Sequence, residues 1–309
     1  MKSVLVIILS CLTFVMPAQE YEKRAYTATR TVTPPVINGE LDDEAWTEGN
    51  WEGDFWQYTP EEGAPVSQKT EFKLLYDDDN IYVAIKAYDT APDSIVARMT
   101  RRDDTEGDEV SVAIDSYFDQ RTAFGFTVSA AGVKGDLMWI DDGLTEDDSF
   151  DPIWYTKTGI YDWGWAAEMK IPLTQLRFSG SDQQVWGFEV LREIYRHNET
   201  DMWQPIARNA SGLVHNAGLL KGLSNITPRR LFDLTPFGVT SLETYEGEAG
   251  NPWNDGSNVR ANAGLDAKIG VTNNMILSLS LNPDFGQVEA DPSEVNLTAF
   301  ESYLREKRP

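Results

Sequence analysis

From about Tyr21 onward, apolar positions recur every second residue, the period of a strand and not of a helix. Ile81, Val83, Ile85 and Ala87 alternate with Tyr82, Ala84, Lys86 and Tyr88. Val110, Val112 and Ile114 do the same between Glu109 and Asp115, and Phe124, Phe126 and Val128 follow. Leu137 to Ile140 predicts a further strand, and Trp186, Phe188 and Val190 another. Trp163, Trp165, Ala167, Met169 and Ile171 form a long alternating face. Two interruptions stand out. A turn signal over Val36 to Asp42 leads into a short helical turn at Glu44-Ala45-Trp46. Ile171 to Leu176 reads as a strand running into a short helix, with Pro172 near its first turn. Many short strands with turn signals between them predict a β-sandwich.

The pattern changes after about Leu231. Val259, Ala261, Ala263, Leu265, Ala267, Ile269 and Val271 alternate without a break. Thr272-Asn273-Asn274 reads as a short turn, and Met275, Leu277, Leu279 and Leu281 resume the alternation. These strands exceed the usual 5–6 residues of a globular sheet. Their length suits the roughly 9–11 residues of a membrane-spanning strand. Apolar to lipid and polar to lumen is the pattern of a first outer-membrane barrel hairpin. An edge hairpin of a second sandwich would show it equally well. Two strands cannot close a barrel of about eight or more, so the barrel reading expects further strands beyond Pro309.

The N-terminus adds an address. Lys2, the apolar run Val4 to Val15 and Met16-Pro17-Ala18 read as a signal peptide over residues 1–18, cut before Gln19. The run is short for a spanning helix, and Ile8-Leu9-Ser10-Cys11 is a poor lipidation signal. Cys11 is the one cysteine, so the exported chain is expected to hold no disulfide and no thiolate metal site. With 50 acids against 26 bases the net charge is −24, which argues against nucleic acid as a partner. His197 and His215 are the two histidines, too few for a His-rich metal centre. There is no nucleophile elbow, P-loop or dinucleotide fingerprint.

Four stretches carry a resemblance. They are Pro35 to Trp46, Leu75 to Val83, Asp108 to Asp115, and Trp165 to Pro172. In this order and spacing, over roughly Thr33 to Asn225, they resemble the family 9 carbohydrate-binding module. The tail, through Asn282-Pro283-Asp284-Phe285-Gly286 to Asp291 and Phe300 to Pro309, resembles an outer-membrane barrel family of unknown function that carries such a module ahead of it. The resemblance implies a jelly-roll-like sandwich over 19–226, followed over 227–309 by the beginning of a barrel. Sugar-binding members clamp a terminal sugar between two Trp, helped by a Glu and an Arg. At the matching positions this chain has Thr105 and Ser211 for the Trp pair, Ser111 for the Glu and Thr127 for the Arg. The clamp therefore does not carry over.

Other residues offer themselves as a site. Sugar rings stack on flat indoles, and of the 10 Trp the three nearest polar segments are Trp139, Trp154 and Trp203. Trp165 and Trp186 lie on regular faces and read as core. Arg121, like Arg101 and Arg102, could orient a carboxylate ligand, or could pair with the acids around it. Two acidic runs, one with Asp103, Asp104 and Asp108, the other with Asp141 and Asp142, are candidate calcium ligands or plain solvated loops. Hydrolysis of glycosides needs two carboxylates across a cleft, and no spacing singles out a pair.

The expectation is thus an exported outer-membrane protein, its sandwich periplasmic or at the cell surface. Its role would be non-catalytic binding of glycan or polysaccharide. The alternatives are a glycoside hydrolase-associated protein acting on O-glycosyl compounds in carbohydrate catabolism, or a purely structural periplasmic domain.

Overall fold

The computed structural model describes residues 21–246, 256–272 and 275–283. The stretch expected to be a signal peptide, most of the expected 272–274 turn and residues 284–309 lie outside the described residues. The chain divides into two units, Met1–Pro228 and Arg229–Pro309.

The strands of the first unit are β1 (Ala25–Thr27), β2 (Thr29–Arg30), β3 (Trp56–Thr59), β4 (Thr70–Tyr76), β5 (Asn80–Tyr88), β6 (Glu109–Asp115) and β7 (Ala123–Ser129). They continue with β8 (Lys134–Ile140), β9 (Thr145–Asp147), β10 (Tyr155–Tyr161), β11 (Gly164–Pro172), β12 (Trp186–Ile194), β13 (Glu199–Met202) and β14 (Gly218–Lys221). One sheet runs β1-β14-β12-β6-β7-β8-β9, with β13 beside β12 and β3 beside β13; the other runs β10-β11-β5-β4-β2. Pairing is antiparallel except at β1–β14 and β2–β4.

The core lies between these sheets. Val110, Val112, Ile114, Phe126, Val128, Phe188 and Val190 face inward from the larger sheet. Phe72, Leu74, Val83, Ile85, Trp165, Met169 and Ile171 face them from the smaller one. Every one of these is buried, so the period-2 alternation of the sequence maps directly onto the pleat. Trp163 falls just ahead of β11, where it stacks on Tyr161 with the rings 3° from parallel. Pro172 closes β11, and a single 3-10 turn, Leu173–Gln175, follows.

The smaller sheet is also covered on its outer side. Leu75, Tyr82 and Ala84 point outward there and pack with Ala45 and Trp46 of the 3-10 turn Glu44–Thr47. Glu168 of β11 pins this segment. Its Oε2 accepts the amides of Asn38 (2.9 Å) and Gly39 (2.7 Å), and its Oε1 accepts Trp46 Nε1 at 2.7 Å. Two of the four stretches that carry the resemblance thus meet at one buried carboxylate. Gly39 has φ +93°, and a Cβ there would sit 2.8 Å from the Thr158 carbonyl oxygen, so this crossing requires glycine.

The second unit is an antiparallel sheet of β15 (Phe232–Thr244), β16 (Ser257–Thr272) and β17 (Met275–Leu281). Two of these strands are the expected hairpin. The sequence pattern did not expose β15, because Pro236 and Gly238 interrupt its alternation. Among the described residues β15 is an edge strand, where proline is tolerated. Register places Phe232, Leu234, Pro236 and Leu242 opposite Ile269, Ala267, Leu265 and Val259. Leu265, Ala267 and Ile269 in turn stand opposite Leu281, Leu279 and Leu277. One apolar face therefore runs across all three strands. Val259, Leu242 and Leu281 on it are each more than 60% exposed among the described residues.

Candidate functional site

The outer face of the larger sheet is where the sequence expectations converge. Since Val110, Val112, Phe126 and Val128 point into the core, their neighbours Glu109, Ser111 and Thr127 point out. Thr127 stands opposite Gly135, Gly125 opposite Leu137, and Ala123 opposite Trp139. Ser111 Oγ and Thr127 Oγ1 are 2.7 Å apart. A Cβ built on Gly135 would lie 3.4 Å from Thr105 Cγ2 and 3.6 Å from Thr127 Cβ. Three of the four positions at which the family clamp would sit are therefore gathered in space, here as small hydroxyl residues. Ser211, the fourth, is exposed on a separate segment.

A carboxylate borders this patch. Glu109 receives a hydrogen bond from the Thr105 hydroxyl, yet burial pushes its carboxyl up to about 7, with Glu193 adding to the shift. Glu193 is its direct cross-strand neighbour on β12. Glu109 Oε2 is buried without a hydrogen-bond partner. The sequence showed no such pair, because the two residues are 84 positions apart and only strand order makes them neighbours.

Trp139 lies on the same face, four residues along β8 from Gly135, or roughly 13 Å at strand rise. It is half-buried. Its ring rests on Gly125, where a Cβ would come within 2.8 Å of Cζ3. Beyond it, an apolar cavity of about 50 Å³ is lined by Trp139, Ile206, Leu213 and Val214, so the 206–214 segment covers that end of the face.

The other two indole candidates are corrected. Trp203 is 1% exposed and packs edge-on against Phe72 and Phe188 in the core. Trp154 is also 1% exposed, and its Nε1 donates to Asp136 Oδ2 at 3.1 Å. Neither ring presents a free face for stacking. Arg121 is exposed and lies 3.5 Å from Asp141, paired with an acid of the neighbouring run.

The acidic runs are likewise occupied. Asp108 is fully buried, and its Oδ2 accepts the Val96 amide at 2.8 Å. Asp103 Oδ1 accepts the Asp136 amide at 3.0 Å, while Asp104 is exposed. Asp142, at φ +65°, accepts the His215 amide on Oδ1 (2.8 Å) and meets His215 Nδ1 on Oδ2 at 2.5 Å. Among the described residues, no three His, Cys, Asp or Glu side chains are grouped to hold a metal ion. The five aspartates expected to ligate calcium form no cage; each run instead secures loops.

The profile for carbohydrate family 9 binding domain-like proteins matches residues 37–204, and that of a domain of unknown function, DUF5916, matches residues 227–309. No protein of curated function matches the chain. It is similar in structure to a carbohydrate-binding module family 9 from Caldicellulosiruptor kristjanssonii in complex with glucose. Identity is 21%, coverage 67% of this chain and 97% of that one, and the TM-score 0.47. For a module from the same organism in complex with cellotriose the values are 21%, 67%, 95% and 0.45. With more than half of its length matched, the chain belongs to the carbohydrate family 9 binding domain-like family, its second unit being a DUF5916 region.

Proposed function

We propose that this protein is an exported, non-catalytic glycan-binding protein of the bacterial outer membrane. Family membership supports the carbohydrate class. The observation that carries the site is the outer face of the larger sheet, where Thr105, Ser111, Thr127 and Glu109 supply hydroxyl and carboxylate groups in line with Trp139. Polar groups there can exchange hydrogen bonds with sugar hydroxyls, and the indole offers an apolar surface to a pyranose ring. The binding mode differs from a two-Trp clamp, since one ring is present and the hydroxyls replace the others. Binding of the purified full chain to a glycan array tests this reading. Retention lost in W139A supports it, and an array without signal refutes it.

The second unit supports the membrane assignment. An apolar face shared by strands of 13, 16 and 7 residues and exposed at Leu242, Val259 and Leu281 among the described residues suits contact with lipid. Residues 245–256 join β15 to β16, whereas residues 273–274 separate β16 from β17. Outer-membrane barrels keep short turns on the periplasmic side and long loops outside. On that rule β15 starts from the periplasm, and the sandwich domain is periplasmic.

One observation favours a hydrolytic reading. Glu109 has the raised pKa of a general acid and faces a second carboxylate, Glu193, on the adjacent strand. Release of reducing ends from a polysaccharide, abolished in E109Q, would establish it over simple binding.

A further inference from the structure

A second site is built on a different part of the sandwich domain. A groove of about 500 Å³ opens between the Pro35–Ile37 segment, the Gly132 turn and strands β10 and β11. This lies within the roughly 300–1,000 Å³ typical of small-molecule sites. Lys134, Lys157 and Lys170 line it, and among the described residues no carboxylate does. In a chain with 50 acids and 26 bases, such a lining is the reverse of the average surface.

The three cations arrive separately. Lys134 opens β8, Lys157 lies on the edge strand β10, and Lys170 lies on β11. Among the described residues neither Lys157 nor Lys170 forms an ion pair. Lys170 Nζ stands 5.8 Å from the centroid of Tyr155, a ring that is 53% exposed. Lys134 Nζ donates to the Trp154 carbonyl at 3.2 Å. Burial and the nearby Arg102 hold its ammonium below the ordinary lysine value. The acids nearest to it are already engaged: Arg102 lies 2.8 Å from Asp136 and 2.7 Å from Asp151. Because β10 is an edge strand, alternate backbone N–H and C=O groups also point away from β11.

An anionic group in this groove would meet ammonium donors and form charge-assisted hydrogen bonds with them. The overall charge of −24 works against a long polyanion, which leaves a short segment with few charges as the fitting ligand. We propose that this groove binds an acidic sugar residue, carboxylated or sulfated, with Lys157 and Lys170 on the acidic group and Tyr155 against the ring. The proposal is independent of the Trp139 face, which shares no lining residue with the groove.

Calorimetric titration of the full chain with three probes tests it: glucuronate-substituted xylotriose, a monosulfated galactose disaccharide, and cellotriose. At least one acidic probe is expected to bind, with affinity falling on added salt. K157A/K170A should lose about tenfold or more in affinity. K157R/K170R should retain it. The two acidic probes distinguish carboxylate from sulfate. If the double alanine variant melts early, the exposed single change K157A reads the same loss. Failure of both acidic probes to bind overturns the proposal, as does undiminished binding in the alanine variants. Either result leaves Trp139-dependent binding standing.

Discussion

Asp142 Oδ2 lies 2.5 Å from Nδ1 of His215, while its Oδ1 accepts the His215 backbone amide at 2.8 Å. The Asp142 carbonyl also accepts the Leu213 amide at 2.9 Å, and its own amide donates to the Arg121 carbonyl at 2.8 Å. An aspartate that reads as a calcium ligand thus fastens the loop after β8 to the 212–216 segment. Asp142→Ala removes hydrogen bonds to a charged group and strands their partners. The expected loss is about 2–3 kcal/mol, read as a lower denaturation midpoint in urea. The variant should also expose Leu213 and Val214 to faster amide exchange. If Ca²⁺ stabilised the wild type and not this variant, the fastening role would be wrong.

The two indoles with opposite placements should respond oppositely. Trp154→Ala empties a core site beside Phe126 and leaves Asp136 without one donor. About 3–5 kcal/mol of stability should be lost. Trp139→Ala should cost less stability, since the ring is half-buried, and should abolish glycan retention on an affinity gel. Equal retention by W139A and wild type, with both folded, would remove Trp139 from the site.

Stability should fall as pH rises from about 5 to above 8. Burial pushes the Glu189 carboxyl up to about 8, although Oε1 accepts the Val190 and Gln204 amides. Asp201 is raised to about 8 and Asp115 to about 6, again mainly by burial. An unfolded glutamate titrates near 4.3. Between about 4.3 and 8 the folded chain holds a proton that the unfolded chain has released. This contribution is complete below the lower value and is lost as pH passes the upper one. Thermal melts across this range should show the decline, and Glu189→Gln should flatten it and melt higher than wild type at pH 8.5. Parallel curves for the two proteins would contradict the assignment.

The exposed apolar sheet can be tested residue by residue. Leu279 faces the continuous apolar side, and Ser278 faces the other. If the apolar side meets lipid, Leu279→Arg should cost about 2–4 kcal/mol of insertion free energy near mid-bilayer. Ser278→Arg, directed to the lumen, should cost far less. Membrane fractionation of the two variants distinguishes them, and equal recovery in the membrane would argue against a lipid-facing side.

Much of the architecture is legible from local pattern. Alternation along β5, β6, β7, β11 and β12 identified the strands and their core faces, because successive side chains on a pleated strand must point to opposite sides. Strand β15 escaped because Pro236 and Gly238 blur the same signal in a strand whose pairing with β16 is nonetheless continuous over 13 residues.

The sequence alone determined the all-β class, the family, the strongly acidic charge and the long alternating strands of the second unit. Those properties are local or additive, so each residue contributes without reference to distant ones. Only the tertiary structure decided which groups meet. Trp154 and Trp203 looked like Trp139 in their polar surroundings, but which side of a sheet another sheet covers is set by packing between distant segments. Glu109 and Glu193 became neighbours through the β6–β12 pairing, Ser111 and Thr127 through the β6–β7 pairing, and Thr105 joined them by its approach to Gly135 of β8. Lys134, Lys157 and Lys170 share a groove because β8, β10 and β11 end up around it. Strand order is a property of the whole chain, selected by the one arrangement that buries all the apolar faces together.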